Sequence, residues 1–173
     1  IIKLKQFINF KSKKKNVTIL IGGSSKSSNF SEKDLIKLNN LLGKINLRRF
    51  QLAFVFSRRT PEFVKKSINK KYKSVSYIWD ELSLNPYWYL INISDFFIVS
   101  SDSVSMTSEA LLSGKPVFTF KLKKMKNKIY KFHQYLKNES YIREFNGEFF
   151  SWKYNEFDEG KRIAEIIKVE LNI

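Results

Sequence analysis

The sequence has 173 residues, of which 43% are hydrophobic. This length and composition exclude a largely disordered chain and suit one domain with a sizeable core. The absence of cysteine excludes disulfides, thiol catalysis and cysteine-ligated metals, and the single histidine excludes most other zinc sites. The sequence therefore predicts no metal and no cofactor.

The chain is strongly basic, with a formal net charge of +16. Nucleic acid, anionic lipid and phosphorylated ligands are the partners that such a charge attracts. Most of the positive charge comes from lysines that are scattered through every segment, whereas recognition of phosphate by paired hydrogen bonds prefers arginine. We therefore expect that nucleic acid is not the partner.

No apolar run reaches the ~18 residues that a membrane-spanning helix needs, and the N-terminus lacks the apolar core of a signal peptide. We therefore expect a cytoplasmic protein. Residues 121–137 combine many lysines with a helical apolar pattern, which would also suit a peripheral position on an anionic membrane surface.

Short apolar runs predict five strands, at residues 17–21, 52–56, 75–79, 96–99 and 117–120. Helical patterns lie between them, and the last one predicts a closing helix over residues 156–171. Alternating strands and helices are typical of an α/β fold, here a Rossmann-like, doubly wound parallel sheet of about five to six strands. We assign residues 17–173 to this domain and residues 1–16 to a linker or short helix that follows an N-terminal domain.

The first strand runs directly into Gly22, Gly23 and Ser24. Glycine allows the backbone to approach a ligand closely, and a loop after a first strand often binds phosphate. The loop matches neither the P-loop pattern nor the glycine pattern of dinucleotide-binding folds, so a plain flexible turn remains an alternative.

The second strand ends in Ser57, Arg58 and Arg59, followed by Thr60 and Pro61. Thr60 is predicted to cap a helix that begins at Pro61. The carboxyl edge of an open α/β sheet is where ligands bind, so the two arginines are candidate phosphate contacts. A solvated arginine pair that binds nothing is the alternative.

The segment 100–116 predicts a turn, a helix and a second turn between the last two strands. Asp102, Ser103, Ser105 and Met106 lie at the helix start, where free N–H groups and the helix dipole favour a phosphate. Glu109 lies about one to two turns further, where a carboxylate could accept hydrogen bonds from a ribose. An ordinary serine cap with a solvated glutamate would give the same pattern.

Two further residues are candidates for the base side of a nucleotide. Asn85 precedes a proline and a predicted helix, and Tyr87 begins that helix. Packing in the core is the commoner use of an aromatic ring. The lone His133, on the predicted basic helix, is expected to be structural or solvated.

Several of these blocks together resemble the mitochondrial fission ELM-type family. The blocks are Ile-Gly-Gly-Ser at 21–24, Ser-Arg-Arg-Thr-Pro at 57–61, Asn-Pro-Tyr at 85–87, Ser-Asp-Ser-Val-Ser-Met from 101, and Gly-Lys-Pro at 114–116. That family is similar to the C-terminal, nucleotide-sugar-binding half of glycosyltransferases with the GT-B fold.

The resemblance implies a nucleotide-diphosphate sugar as the ligand. By position, Glu109 matches a ribose contact and the backbone from Ser103 to Met106 matches the helix start that faces the diphosphate. Gly23, Ser24 and Arg58 match as neighbours of the phosphates. No catalytic residue is identified, because the acceptor site and catalytic base of such enzymes usually belong to an N-terminal half.

Two functions are therefore expected. The first is donor binding for an inverting, metal-independent glycosyltransferase that needs an N-terminal domain for turnover. The second is an adaptor with a vestigial pocket, which recruits a protein partner or a membrane through residues 121–137.

Overall fold

The computed structural model describes residues 8, 10–11, 13–26 and 28–157. The strands are β1 (Lys15–Ile21), β2 (Ser28–Asn29), β3 (Phe50–Phe56), β4 (Tyr77–Ile78), β5 (Phe96–Ser100), β6 (Val117–Phe120), β7 (Lys124–Met125) and β8 (Ile142–Glu144). The helices are α1 (Glu32–Leu42), α2 (Glu62–Tyr72), α3 (Tyr87–Ile93), α4 (Val104–Leu111) and α5 (Asn127–Asn138).

Six of the strands form one sheet in the order β4-β3-β1-β5-β6-β8, and every neighbouring pair in it is parallel. This architecture confirms the predicted Rossmann-like α/β fold. The order of the strands reverses between β1 and β5, so the crossovers leave on opposite sides there. A crevice opens at such a point, outside the carboxyl ends of the two strands.

The sheet is covered on both faces, which explains why its strands are continuous apolar runs. Alternate residues of β1 point to opposite faces: Ile19 packs in the cluster that contains α1 and α2, and Leu20 packs in the cluster with α3, α4 and α5. Both side chains are almost fully buried, at 1% and 0% exposure. A polar substitution at either position would place an unpaired group inside a core.

An aromatic loop, rather than a further helix, covers part of the first face. The ring of Phe149 lies 4.7 Å from that of Phe50, 5.2 Å from that of Phe96 and 5.5 Å from that of Phe118. Residues 149–152 form a loop. Its side chains close the core over β5 and β6.

The starts of two helices have different capping interactions. Ser31 and Asp34 form a capping box at the start of α1. The predicted cap at Thr60 is wrong, because α2 begins at Glu62 with Pro61 as its N-cap. The Thr60 hydroxyl instead donates to the carbonyl oxygens of Ile21 and Gly22, at 2.7 and 2.8 Å.

Three short strands were not predicted: β2, β7 and β8. The first two pair antiparallel with each other outside the main sheet, and β8 adds an edge strand beside β6. The predicted outer strand at 75–79 is confirmed as the two-residue β4. β1 begins at Lys15, within the predicted 1–16 segment. Most of that segment, and nearly all of the predicted helix at 156–171, lie outside the described residues.

Candidate functional site

The carboxyl ends of β1 and β5 are joined by hydrogen bonds at the reversal point of the sheet. The Gly22 amide donates to the Ser100 hydroxyl at 2.7 Å, and the Gly23 amide donates to the Asp102 carboxylate at 2.8 Å. The Ser100 hydroxyl donates to the other oxygen of Asp102 at 2.6 Å. These bonds hold the glycine loop against the segment that starts α4.

The two glycines are required here because no side chain would fit. A Cβ on Gly22 would lie 2.0 Å from a carboxylate oxygen of Asp102, and a Cβ on Gly23 would lie 1.8 Å from the carbonyl oxygen of Arg59. The loop after β1 therefore packs directly against the loop after β3. The Gly22 and Gly23 amides already donate hydrogen bonds to Ser100 and Asp102. These glycines therefore shape the rim, but their amides are not free to bind a ligand.

Asp102 is buried, with 4% of its surface exposed. Burial raises the pKa of its carboxyl group, while the hydrogen bonds from Ser100 and Gly23 and the nearby charge of Arg59 act in the opposite direction. The side chain links the loop after β1 to the segment before α4, a role that the sequence did not indicate.

The loop after β3 brings the two arginines to the same rim. The Ser57 amide donates to the Ile21 carbonyl at 2.9 Å and to the Thr60 hydroxyl at 3.0 Å. Ser57 itself is half-buried and its hydroxyl accepts from the Arg59 amide at 3.2 Å. Arg58 and Arg59 are exposed, so their guanidinium groups are open to an anion.

The start of α4 faces the same crevice. Ser103 is the N-cap, and its hydroxyl accepts from the Met106 amide at 3.2 Å. By helix geometry the amides of Val104 and Ser105 have no acceptor within α4, and both residues are exposed. These two amides, together with the helix dipole, are the groups that could bind an anion.

Glu109 lies further along α4, about 9 Å from the cap at 1.5 Å per residue. It is half-buried, and it accepts a hydrogen bond from the hydroxyl of Tyr87 at the start of α3. Burial, then the bond to Glu109, raises the pKa of the Tyr87 hydroxyl. The exposed Asn85 accepts from the Tyr87 amide at 2.9 Å, so its side chain stabilises the beginning of α3.

A two-stranded sheet made of β2 and β7 holds the outer side of the rim in place. β2 pairs with β7, which ties the loop after β1 to the loop after β6. The exposed Ser24 donates to Asn29 at 3.1 Å, and Ser101 accepts from the Leu122 amide at 3.0 Å.

The structure thus places the predicted residues Gly22, Gly23, Ser24, Ser57, Arg58, Arg59, Asp102, Ser103, Ser105 and Met106 at one edge of the sheet, with Glu109, Tyr87 and Asn85 beside it.

The described structure also bears on whether the protein binds a membrane or a metal ion. The apolar side of α5 packs inward through the buried His133 and Leu136, so this face is not open to a membrane. None of the helices in the described part of the chain is both long and apolar enough to cross a bilayer. Within the same residues, no group of three or more His, Cys, Asp or Glu side chains could hold a metal ion.

A separate cleft lies away from this rim. It has a volume of about 490 Å³ and is lined by Phe10, Lys11 and Gln51, near the amino ends of β1 and β3. The candidate site is therefore defined by its hydrogen bonds rather than by the depth of a cleft.

Comparison with known families gives one match over nearly the whole chain. The model of the family described as Mitochondrial fission ELM1 matches residues 4–171. This match confirms the resemblance that the sequence blocks predicted.

Two relatives cover most of this chain but only part of their own length. The Rickettsia prowazekii (strain Madrid E) protein RP120 is 34% identical over 171 residues, which are 92% of this chain and 48% of that protein. The mitochondrial fission protein ELM1 of Arabidopsis thaliana is 31% identical over 137 residues, which are 78% of this chain and 32% of that protein. The chain thus spans about half of the first relative and a third of the second.

Solved structures share the fold at low sequence identity. UDP-GlcNAc 2-epimerase from Neisseria meningitidis, bound to UDP-GlcNAc, is similar with a TM-score of 0.51 and 19% identity, over 99% of this chain and 48% of that one. The peptidyl-cysteine decarboxylase EpiD is similar with a TM-score of 0.51 and 13% identity, over 89% of this chain and 98% of that one. Because the two named activities differ, the shared fold does not by itself identify a reaction.

Proposed function

This chain belongs to the mitochondrial fission ELM1 family, and from that premise we propose that it binds a nucleoside diphosphate, carried as a nucleotide-diphosphate sugar, at the rim between β1 and β5. The diphosphate lies against the start of α4 and the two exposed arginines. Glu109 accepts hydrogen bonds from the ribose, and Tyr87 lies on the base side.

One observation carries this proposal: the glycine loop, the arginine loop and the start of α4 converge at the reversal point of a parallel sheet. The Gly23 amide bonds to Asp102, and the Arg59 charge acts on the same carboxyl group. In open α/β folds, ligands bind in the crevice at this point. The free amides at a helix start and nearby guanidinium groups suit phosphate oxygens.

The similar epimerase supports the class of ligand. Its structure was determined with UDP-GlcNAc, and the similarity covers 99% of this chain. We infer the same class of ligand here, and we use UDP as the simplest probe. The identity of the sugar is a separate question from the binding of the diphosphate.

We propose that the chain binds this ligand without turning it over alone. Transfer of a sugar needs a base on the acceptor as well as stabilisation of the departing diphosphate. The rim supplies the second requirement through α4 and the arginines, whereas the Asp102 carboxyl group at its centre is buried and bonded internally. A second domain would supply the base and the acceptor site.

The role of Glu109 can be tested by calorimetric titration with UDP. Glu109→Ala removes a charged acceptor, so we expect UDP binding to weaken by about 1 to 3 kcal/mol, or roughly five- to 150-fold. The change also deletes the hydrogen bond from Tyr87. Tyr87→Phe is the matched control, because it deletes that same bond but keeps the carboxylate.

Because Tyr87→Phe keeps the aromatic ring on the base side and loses only the hydroxyl that donates to Glu109, we expect it to bind UDP within about threefold of the unchanged protein. Glu148→Ala is a second control at an exposed position, and it raises the net charge by the same amount as Glu109→Ala. Unspecific attraction of UDP would therefore increase equally in both alanine variants. Equal affinity of Glu109→Ala and the unchanged protein would remove Glu109 from the site.

A further inference from the structure

A small cavity surrounds the only histidine of the chain. It has a volume of about 50 Å³ and lies between α5 and the carboxyl ends of β6 and β8. Its lining includes Ser101, Thr119, Lys121, His133 and Glu144. One water molecule needs about 10 to 15 Å³ of such volume, so the cavity has room for a few groups of that size but not for a whole sugar ring.

His133 is the group in this cavity whose hydrogen bonding is incomplete. Only 7% of its surface is exposed, and neither ring nitrogen makes a hydrogen bond of ordinary geometry to the described residues, although the Ser101 backbone lies near enough to act on its pKa. Its ring packs edge-on against Phe132, with 5.3 Å between the ring centroids. A buried polar atom without a partner is costly, so a bound group that satisfies both nitrogens would be stabilised here.

Of the charged residues in the lining, Lys121 and Glu144 already have neighbours, and Lys137 lies in the last turn of α5. Lys121 lies over the ring of Tyr130, 5.0 Å from its centroid, and Glu144 pairs with Lys37 at 3.7 Å. The imidazole of His133 is neutral at pH 7, because burial lowers its pKa to about 4 against a smaller opposite effect of the Ser101 backbone. A neutral imidazole donates through one nitrogen and accepts through the other.

The donor and acceptor nitrogens of the neutral His133 ring determine which chemical group fits this cavity. A hydroxyl group can both donate and accept, so one or two neighbouring hydroxyls satisfy both nitrogens. A phosphate or carboxylate group that is fully ionised can only accept, and it would leave one nitrogen without a partner. The cavity therefore fits a hydroxylated group better than an anion.

The cavity is close to the start of α4. Ser101 lines it and precedes Ser103, the N-cap, by two residues, which limits the distance between their Cα atoms to about 8 Å. The hydroxyl of Ser101 accepts from the Leu122 amide and donates to the sulfur of Met125 at 2.9 Å, so the lining is held in place. A group attached to a diphosphate at the rim could reach the cavity.

We propose that this cavity binds a hydroxyl-bearing edge of the sugar attached to the diphosphate, with His133 as the residue that recognises the hydroxyl. The inference rests on the proposed function and adds to it the position and chemistry of the sugar contact. The contact between His133 and the sugar hydroxyl makes the chain selective for nucleotide sugars over free nucleoside diphosphates.

The single histidine allows a direct test by nitrogen-detected NMR of the imidazole ring, since only His133 contributes signals. The 173-residue chain is titrated with UDP, with UDP-N-acetylglucosamine and UDP-glucose, and with free N-acetylglucosamine and glucose at high concentration. We expect a sugar-bearing probe to shift the His133 nitrogen signals and UDP alone to leave them nearly unchanged.

Two variants measure the size of the effect. His133→Phe keeps an aromatic ring of similar volume but has no nitrogen, and His133→Gln keeps a donor and an acceptor. We expect the unchanged protein to bind the preferred UDP-sugar about three- to tenfold more tightly than UDP, the contribution of one hydrogen bond. This preference should disappear in His133→Phe and persist in part in His133→Gln, while the affinity for UDP stays the same in all three.

The outcomes separate the two proposals. If UDP binds but no sugar probe shifts His133, or if UDP alone shifts it equally, the sugar cavity is overturned and the proposed function stands. If His133→Phe keeps the preference for the UDP-sugar, the role of His133 is also overturned. If free sugars shift His133 while UDP does not bind, the hydroxyl cavity is supported and the nucleotide proposal fails.

Discussion

Substituting Gly23 by alanine is expected to destabilise the protein by about 3 kcal/mol, the upper end of the usual cost of overpacking, and to abolish UDP binding. The new Cβ would lie 1.8 Å from the carbonyl oxygen of Arg59 and 2.6 Å from the amide of Thr60. Both contacts are with backbone atoms, so a simple side-chain rotation cannot relieve them, and overpacking of this kind forces the backbone to move. The movement would separate the glycine loop from the arginine loop.

Urea denaturation measures the loss of stability, and calorimetry measures the loss of UDP binding. Gly43→Ala is the matched control, because Gly43 ends α1 in a right-handed conformation with φ of −64° and its Cβ would meet its nearest neighbour, the Asn39 carbonyl, at 3.2 Å. Alanine suits a helix, so we expect this variant to change stability by less than about 1 kcal/mol. Equal stabilities of the two variants would contradict the close packing of these loops.

The second large effect is a loss of stability in acid that depends on His133. Burial lowers the pKa of this residue from its ordinary value of 6.5 to about 4 in the folded protein. Above pH 6.5 both the folded and the unfolded chain carry a neutral ring, and the histidine adds no pH dependence. Between pH 6.5 and 4 the His133 ring is protonated in the unfolded chain but remains neutral in the folded protein. The free energy of unfolding therefore falls by about 3 kcal/mol as the pH is lowered through this range.

This prediction is measured by urea denaturation between pH 7 and pH 4. His133→Phe cannot take up the proton, so its stability should fall less over this range. Subtracting the two curves removes the contributions that both proteins share, including the carboxyl groups and the nearby Lys121, Lys137 and Glu144. Parallel curves for the two proteins would show that His133 is not buried in its neutral form.

The strands whose bounds the sequence predicts most closely are those buried on both faces, whereas the half-buried outer strand predicted at 75–79 is only the two-residue β4. β1, β3, β5 and β6 are continuous runs of apolar residues and were predicted within about two residues at each end. β8 contains one apolar residue, Ile142, and β2 contains none, so neither has a hydrophobic pattern. Such strands depend on the neighbours with which they pair.

The location of the candidate site was predictable for a related reason. Parallel strands place all their carboxyl ends at one edge, so residues that follow β1, β3 and β5 must gather there. The bonds within that edge were not predictable, because they depend on the register and on how closely the loops approach. Thr60 therefore has a different role from the predicted cap, and Asp102 accepts a hydrogen bond from the Gly23 amide that the sequence did not indicate.

The position of Glu109 on a helix was predictable, but its partner was not. Tyr87 is distant in sequence and reaches Glu109 because α3 and α4 cover the same face of the sheet. The environment of His133 escaped prediction for the same reason, since its cavity is formed by β6, β8 and α5 together.

The proposed function is tested most directly by following the backbone amide signals of the isotope-labelled chain during titration with UDP. The account predicts saturable shifts that are largest at residues 22–24, 57–60 and 101–106, around the rim between β1 and β5. A chain with a net charge of +16 could also attract UDP without a specific site. Shifts spread over the lysines of α5 or concentrated at the opposite edge of the sheet, or the absence of any shift, would contradict it.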